Sequence, residues 1–150
     1  MAQTVTFELP NQDGEVVSSS DFAGKRLIMF FYPAAMTPGC TKESCDFRDS
    51  YREFTDAGYE IVGVSPDPPR RNARFKEKEG LNFDLLSDED RRLATSLGAW
   101  GEKTLYGKTT EGLIRSTFVI GPDGTTEKAY RNVKATGHVA RIKADLLPPS

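Results

Sequence analysis

The sequence predicts an α/β fold, a sandwich with a mixed β-sheet between layers of helix, on three observations. Two continuous apolar runs, "RLIMFFY" from Arg26 and "EIVGVSP" from Glu60, have the length of strands covered on both faces. Each is followed by a helical pattern. Phe47, Tyr51 and Phe54 recur at i, i+4 and i+7 after the first run; "PPRRNARFKEKEG" opens on proline and closes on Gly80 after the second. Further on, "IRSTFVI" and "TEKAYRNV" flank "GPDG", a hairpin signal.

Taken in order, "TVTFEL" alternates like a half-buried strand and is closed by Pro10 and the "NQDG" turn. "RLIMFFY" follows and stops at Pro33, before the Phe47–Tyr51–Phe54 helix. After the second strand and helix, "NFDLLSD" reads as a short strand. "SDEDRRLATSLG" reads as a helix capped by Ser87 or Asp88 and ended by Gly98. The hairpin comes next, and a last helix runs from Thr136 or Gly137 toward Leu147, before Pro148. Right-handed crossovers set the two buried strands parallel in the middle of the sheet. This element order is that of a thioredoxin-like three-layer sandwich, and sites in such sheets form beyond the carboxyl ends of the strands. Residues 33–40 lie there.

With 150 residues the chain is expected to form one domain, residues 1–150, large enough for a substantial core. A net charge of -2 provides no basic field for nucleic acid or anionic lipid. The densest basic run, from Arg70, is interleaved with Glu77 and Glu79 and reads as a solvated helix face. No apolar stretch is long enough to span a bilayer. The N-terminus lacks the layout of a secretory signal, so a cytoplasmic location is expected. In a reducing compartment a lone cysteine pair suits catalysis or sensing better than structure.

Both cysteines lie in "FFYPAAMTPGCTKESC", residues 30–45. Cys40 is expected at the entry of a helix, where unpaired N–H groups and the helix dipole favour the thiolate, the reactive form. Pro38 and Gly39 shape the loop before it, and Gly39 lets backbone N–H groups approach a small ligand. Thr37 can donate and accept a hydrogen bond near the sulfur. On a helix, Cys45 would stand about 140° round and about 7.5 Å along from Cys40. The Cα separation of roughly 8.7 Å exceeds the roughly 7 Å limit of a disulfide. If the two bond, the first helical turns must unwind, which favours a redox cycle with local unfolding over a static cross-link. The residues alone also leave Cys45 open as a bystander on a polar face beside Lys42, Arg48 and Asp49. Zinc is not expected, since two cysteines and a distant His138 do not make four ligands. His138, near the start of the last helix, is expected at the surface.

The segment "YPAAMTPGCTKESC" resembles the active-site segment of the peroxiredoxins, whose Pro-x-x-x-Thr-x-x-Cys pattern falls on Pro33, Thr37 and Cys40. A cysteine five residues later resembles the bacterioferritin-comigratory class. The likeness continues through "SPDPPRRNARFKEKEGLNFDLLSD", "GAWGEKTLYGKTTEGLIRSTFVIGPDG" and "TGHVARI". It implies a thioredoxin-like thiol peroxidase with no metal or other cofactor, acting on hydrogen peroxide or organic hydroperoxides. Cys40 would attack the peroxide, Thr37 and the Cys40 N–H would hold it, and Pro33 would shield the sulfur from water. Arg115 matches the family's arginine, which would stabilise the thiolate and the leaving oxygen; Glu43 fits its acidic partner. Cys45 would resolve the Cys40 sulfenic acid into a disulfide, which thioredoxin or a similar dithiol would reduce. A monomer or weak dimer is expected. The departure "DPP" at Asp67 to Pro69 is expected to alter only a helix start.

Two other activities remain open at this level. A general disulfide reductase would want a Cys-x-x-Cys pair, which the chain lacks. A non-enzymatic redox sensor would use the unwinding helix as its switch.

Overall fold

The computed structural model describes residues 4–105 and 107–147, the side chains of 103–105 excepted. Its elements are β1 (Glu8–Pro10), β2 (Val16–Ser18), β3 (Arg26–Phe31), α1 (Pro38–Asp56), β4 (Tyr59–Ser65), α2 (Pro69–Glu79) and β5 (Asp84–Ser87). There follow α3 (Arg92–Ser96), β6 (Trp100–Leu105), β7 (Lys108–Leu113), β8 (Ser116–Ile120), β9 (Thr126–Tyr130) and α4 (His138–Leu146).

Five strands form the central sheet in the order β5-β4-β3-β8-β9. β3 and β4 run parallel with Met29 opposite Val62, and β8 lies antiparallel on the other side of β3 with Phe118 opposite Met29. The sheet is therefore mixed, with the two apolar runs paired at its centre. β3 is apolar throughout because both its faces are covered. Ile28, Phe30 and Tyr32 enter one core with Phe47 and Phe54 of α1, Phe75 of α2 and Val139 and Ile142 of α4. Leu27, Met29 and Phe31 enter a second core with Leu93 and Ala94 of α3, Leu113 of β7, and Val5 and Phe7. The order is helix, sheet, then a layer of α3, β7 and the amino-terminal segment. α2 ends on Gly80 in the left-handed conformation, φ 60°.

Three local expectations change. "TVTFEL" pairs as a strand only from Glu8: the Val5 N–H is taken by the Gly124 carbonyl and the Phe7 N–H by Ser19 Oγ, so their side chains are buried without a ladder. α3 starts at Arg92, later than its capping signal, because Arg91 turns through a left-handed conformation, φ 58°. Asp88 still caps it, accepting from the N–H groups of Leu93 and Ala94 at 3.2 and 2.9 Å. The β6–β7 hairpin had no counterpart in the pattern reading.

Candidate active site

β3 ends at Phe31 and α1 begins at Pro38, and the connection between them carries the first part of the site. Pro33 lines a groove of about 950 Å³ with Pro66, Trp100, Ile114 and Asn132, between this connection and the β6–β7 hairpin. Met36 adopts φ 66°, a left-handed conformation uncommon for a side chain of its size, and packs partly buried against the first core. Thr37 is the N-cap of α1. Its hydroxyl donates to the Ala34 carbonyl at 2.8 Å, so that proton is committed and acceptor lone pairs remain for a ligand. Tyr106, which the sequence offers with Met36 and Trp100 as a candidate for the lining of the substrate pocket, lies outside the described residues.

Cys40, the third residue of α1, is fully buried. A cation reaches it from the start of the neighbouring strand, where Ser116 of β8 pairs with Phe31 at the end of β3. Arg115, in the short link between β7 and β8, places Nη2 3.3 Å from Cys40 Sγ and donates through Nη1 to Glu43 Oε1 at 2.6 Å. Gly39 makes the approach possible: a Cβ there would stand 3.2 Å from Arg115 Nη2. Burial works against the guanidinium charge, but Glu43 and Cys40 hold its pKa above the ordinary value. Glu43 is itself fully buried, and burial pushes its carboxyl up to about 7 although Arg115 pulls the other way.

His138 is not at the surface. It is 4% exposed, packed edge-on to the rings of Phe47 and Tyr130. Its Nε2 lies 2.7 Å from Thr117 Oγ1 and 3.9 Å from Glu43 Oε2. Burial first, then Arg115 and Arg141, push its pKa down to about 4, so the ring is neutral at neutral pH.

Asp67 does more than start a helix. Its Oδ2 accepts the Ala35 N–H at 2.7 Å and the Ser65 hydroxyl at 2.9 Å, and Oδ1 pairs with Arg71 Nε at 3.2 Å. Arg71 Nη2 in turn donates to the Ala35 carbonyl at 3.4 Å. The pair grips both polar groups of one peptide residue in the connection before Cys40. Behind it, Asn72 joins Tyr32, Ser65 and Ser87 in a buried hydrogen-bond set. The signal for Asp67 was its place just past the carboxyl end of a central strand.

Cys45 is half-buried, and the structure does not bring it to Cys40; both thiols are free. Its Sγ donates to Glu79 Oε2 at 3.8 Å, and Arg48 Nη1 donates to the Glu79 carbonyl, tying the helix to the end of α2. Burial pushes the Cys45 thiol up; Arg48 opposes this and Glu79 adds to it. Among the described residues, no three His, Cys, Asp or Glu side chains converge to hold a metal ion, and no helix is long and apolar enough to cross a membrane.

The chain is similar to known proteins in sequence and in fold. Residues 2–129 match the sequence model of the AhpC/TSA family. The chain belongs to that family. A Mycobacterium tuberculosis protein named as a peroxiredoxin is 56% identical over 140 residues, 93% of this chain and 89% of the relative. Peroxiredoxin Bcp of Escherichia coli K12 is 48% identical over 132 residues, 88% of this chain and 85% of its own. Among solved structures, the bacterioferritin comigratory protein of Xanthomonas campestris, studied for alkyl peroxide reduction, superposes with a TM-score of 0.87. It is 38% identical, over 93% of this chain and 89% of that one. The chain is thus a peroxiredoxin of the Bcp type, a thiol peroxidase on a thioredoxin fold. Its family implies a hydroperoxide substrate and a thiol reductant.

Proposed function

We propose that this peroxiredoxin reduces hydrogen peroxide and organic hydroperoxides through Cys40 and recycles through Cys45. The observation that carries the reading is the Arg115 guanidinium, 3.3 Å from a helix-entry thiol and fixed on its far side by Glu43. The Cys40 thiolate attacks the terminal peroxide oxygen, the O–O bond breaks, and the sulfur is oxidised to the sulfenic acid. The alkoxide or hydroxide leaves and takes up a proton. Arg115 stabilises both the thiolate and the charge growing on the leaving oxygen. The Thr37 lone pairs accept from the peroxide hydroxyl, the Cys40 N–H donates to it, Gly39 leaves room for Arg115, and Pro33 keeps water from the sulfur.

The first turns of α1 then unwind, and the Cys45 thiol condenses with the sulfenic acid, releasing water and forming the Cys40–Cys45 disulfide. A dithiol protein, thioredoxin by our reading, reduces it by thiol exchange and is itself oxidised. We place the reaction in the cytoplasm, in a single-domain protein that acts as a monomer or weak dimer. Peroxide consumption coupled to a thioredoxin system tests this. Cys40→Ser is expected to lose turnover. Cys45→Ser is expected to oxidise once and recycle poorly. Undiminished turnover in the first variant would sink the assignment, and normal recycling in the second would make Cys45 a bystander.

A further inference from the structure

Cys40 and Glu43 are two fully buried acids almost one turn apart on α1, and both face the same guanidinium. One positive charge thus stands between two groups that can each be negative. With both ionised the cluster would hold one uncompensated negative charge, and no neighbour among the described residues supplies the balance. His138 of α4 is held neutral by burial first, and then by Arg115 and by Arg141 on the same helix. Tyr32, at the end of β3, is kept un-ionised by burial. Asp46, on the next turn of α1, raises the Glu43 carboxyl further, and its own charge is paired with Lys42 at 2.9 Å. An unbalanced buried charge is strongly unfavourable, and a single proton removes it.

The two carboxyl oxygens of Glu43 show where that proton belongs. Oε1 accepts from Arg115, whereas Oε2 is buried with no hydrogen-bond partner among the described residues. It lies 3.9 Å from the neutral His138 ring, which is held in place by Thr117. An ionised carboxylate buried this deeply leaves a charged oxygen unpartnered, whereas a proton on Oε2 makes it a neutral O–H, which costs less to leave unpaired.

We propose that, at neutral pH, Cys40, Arg115 and Glu43 share a single proton, which Glu43 carries on Oε2, facing His138, when Cys40 is a thiolate. The thiol loses a proton, the carboxylate gains one, and the charge of the cluster does not change. The inference rests on Cys40 being the reacting thiol and gives Glu43 more to do than aim Arg115. While Glu43 is neutral, the guanidinium charge is left for the sulfur and the departing oxygen. Once Glu43 ionises, it competes for that charge, and His138 is a positioning residue that acts through Oε2.

Rapid-mixing measurement of Cys40 oxidation by hydrogen peroxide, expressed per thiolate from its ultraviolet absorbance, tests the inference across pH. The wild-type constant is expected to fall by roughly tenfold on the alkaline side, a fraction of the loss of a whole oxyanion donor. Glu43→Gln keeps an oxygen for Arg115 but cannot titrate, so its profile should be flat. The same alkaline fall in that variant overturns the proposal. Infrared spectra of the reduced wild type should show the carbonyl stretch of one buried protonated carboxyl that Glu43→Gln lacks; its absence also overturns the proposal, even if the variant folds poorly. His138→Leu removes the polar neighbour that helps hold the proton on Oε2 and should move the fall to lower pH. A uniformly lower rate with the fall unmoved would mean that His138 only packs and has no part in holding the proton. Turnover by Cys40→Ser would remove the underlying reading instead.

Discussion

The two cysteines share one helix and sit five residues apart, yet their surroundings are of opposite kind. Cys40 is buried under a cation that reaches across from the sheet, whereas Cys45 is half-buried against the Glu79 carboxylate. A cation favours a thiolate and a carboxylate opposes one. On the function proposed above, the difference imposes an order on the chemistry: Cys40 reacts while the helix is folded, and Cys45 is held back by a contact that exists only in that state. Neither property belongs to the cysteines themselves. Both come from residues distant in the chain, Arg115 75 positions from Cys40 and Glu79 34 positions from Cys45.

The contrast can be broken most sharply at its cation. Arg115→Gln is expected to lower kcat/KM for peroxide by roughly 10²–10³-fold, the loss of an oxyanion donor. A change within a few-fold would mean that the arginine does not distinguish the two thiols. The next largest effect is on stability. The Glu43 carboxyl rises from 4.5 to about 7 on folding, so its contribution is present below pH 4.5 and lost as pH climbs through 7. His138 falls from 6.5 to about 4, so its contribution is present above pH 6.5 and lost as pH drops through 4. Chemical denaturation of Glu43→Gln should therefore lack a decline on the order of 3 kcal/mol between those Glu43 limits. A wild-type decline of equal size in the variant would assign it to other groups.

Smaller effects sharpen the comparison. Asp67→Ala frees the Ala35 amide and is expected to reduce the rate of Cys40 oxidation by roughly tenfold through misplacement of the connection. Asp67→Asn, which keeps an acceptor, should recover most of it. Equal rates in both variants would remove Asp67 from any positioning role. Glu79→Gln withdraws a group that raises the Cys45 thiol, so more thiolate is present at a given pH. Alkylation of Cys45 in Cys40→Ser is then expected to speed up about two- to threefold. No change would leave burial and Asp49 as the causes.

Much of this was legible in the chain, for definable reasons. Leu27 to Tyr32 read as a buried strand because every residue faces one core or the other, which leaves a continuous apolar run. Cys40 could be placed at a helix entry because Thr37 and Pro38 are local signals. The β6–β7 hairpin escaped because "EKTLYGKTTEG" is polar on both sides of its turn, and an exposed ribbon needs no apolar alternation. His138 read as a surface residue because its partner Thr117 lies 21 positions earlier and its neighbour Glu43 is on another helix. Asp67 read as a helix start because its contact with Ala35 spans 32 residues. Local pattern finds strands and caps; it does not find which polar side chains meet across them.

The grip on Ala35 has a mechanical consequence. Just upstream of Cys40, Asp67 and Arg71 hold both polar groups of one residue. Just downstream, the first turn of α1 begins at an N-cap whose hydroxyl bonds backward to Ala34 and leaves the helix without a side-chain cap, a difference worth about 1 kcal/mol. Anchored on one side and loosely fastened on the other, the chain has a hinge at Met36 and Thr37. Fraying would start there and run toward Cys45, while the Ala35 amide stays slow to exchange its hydrogen with solvent.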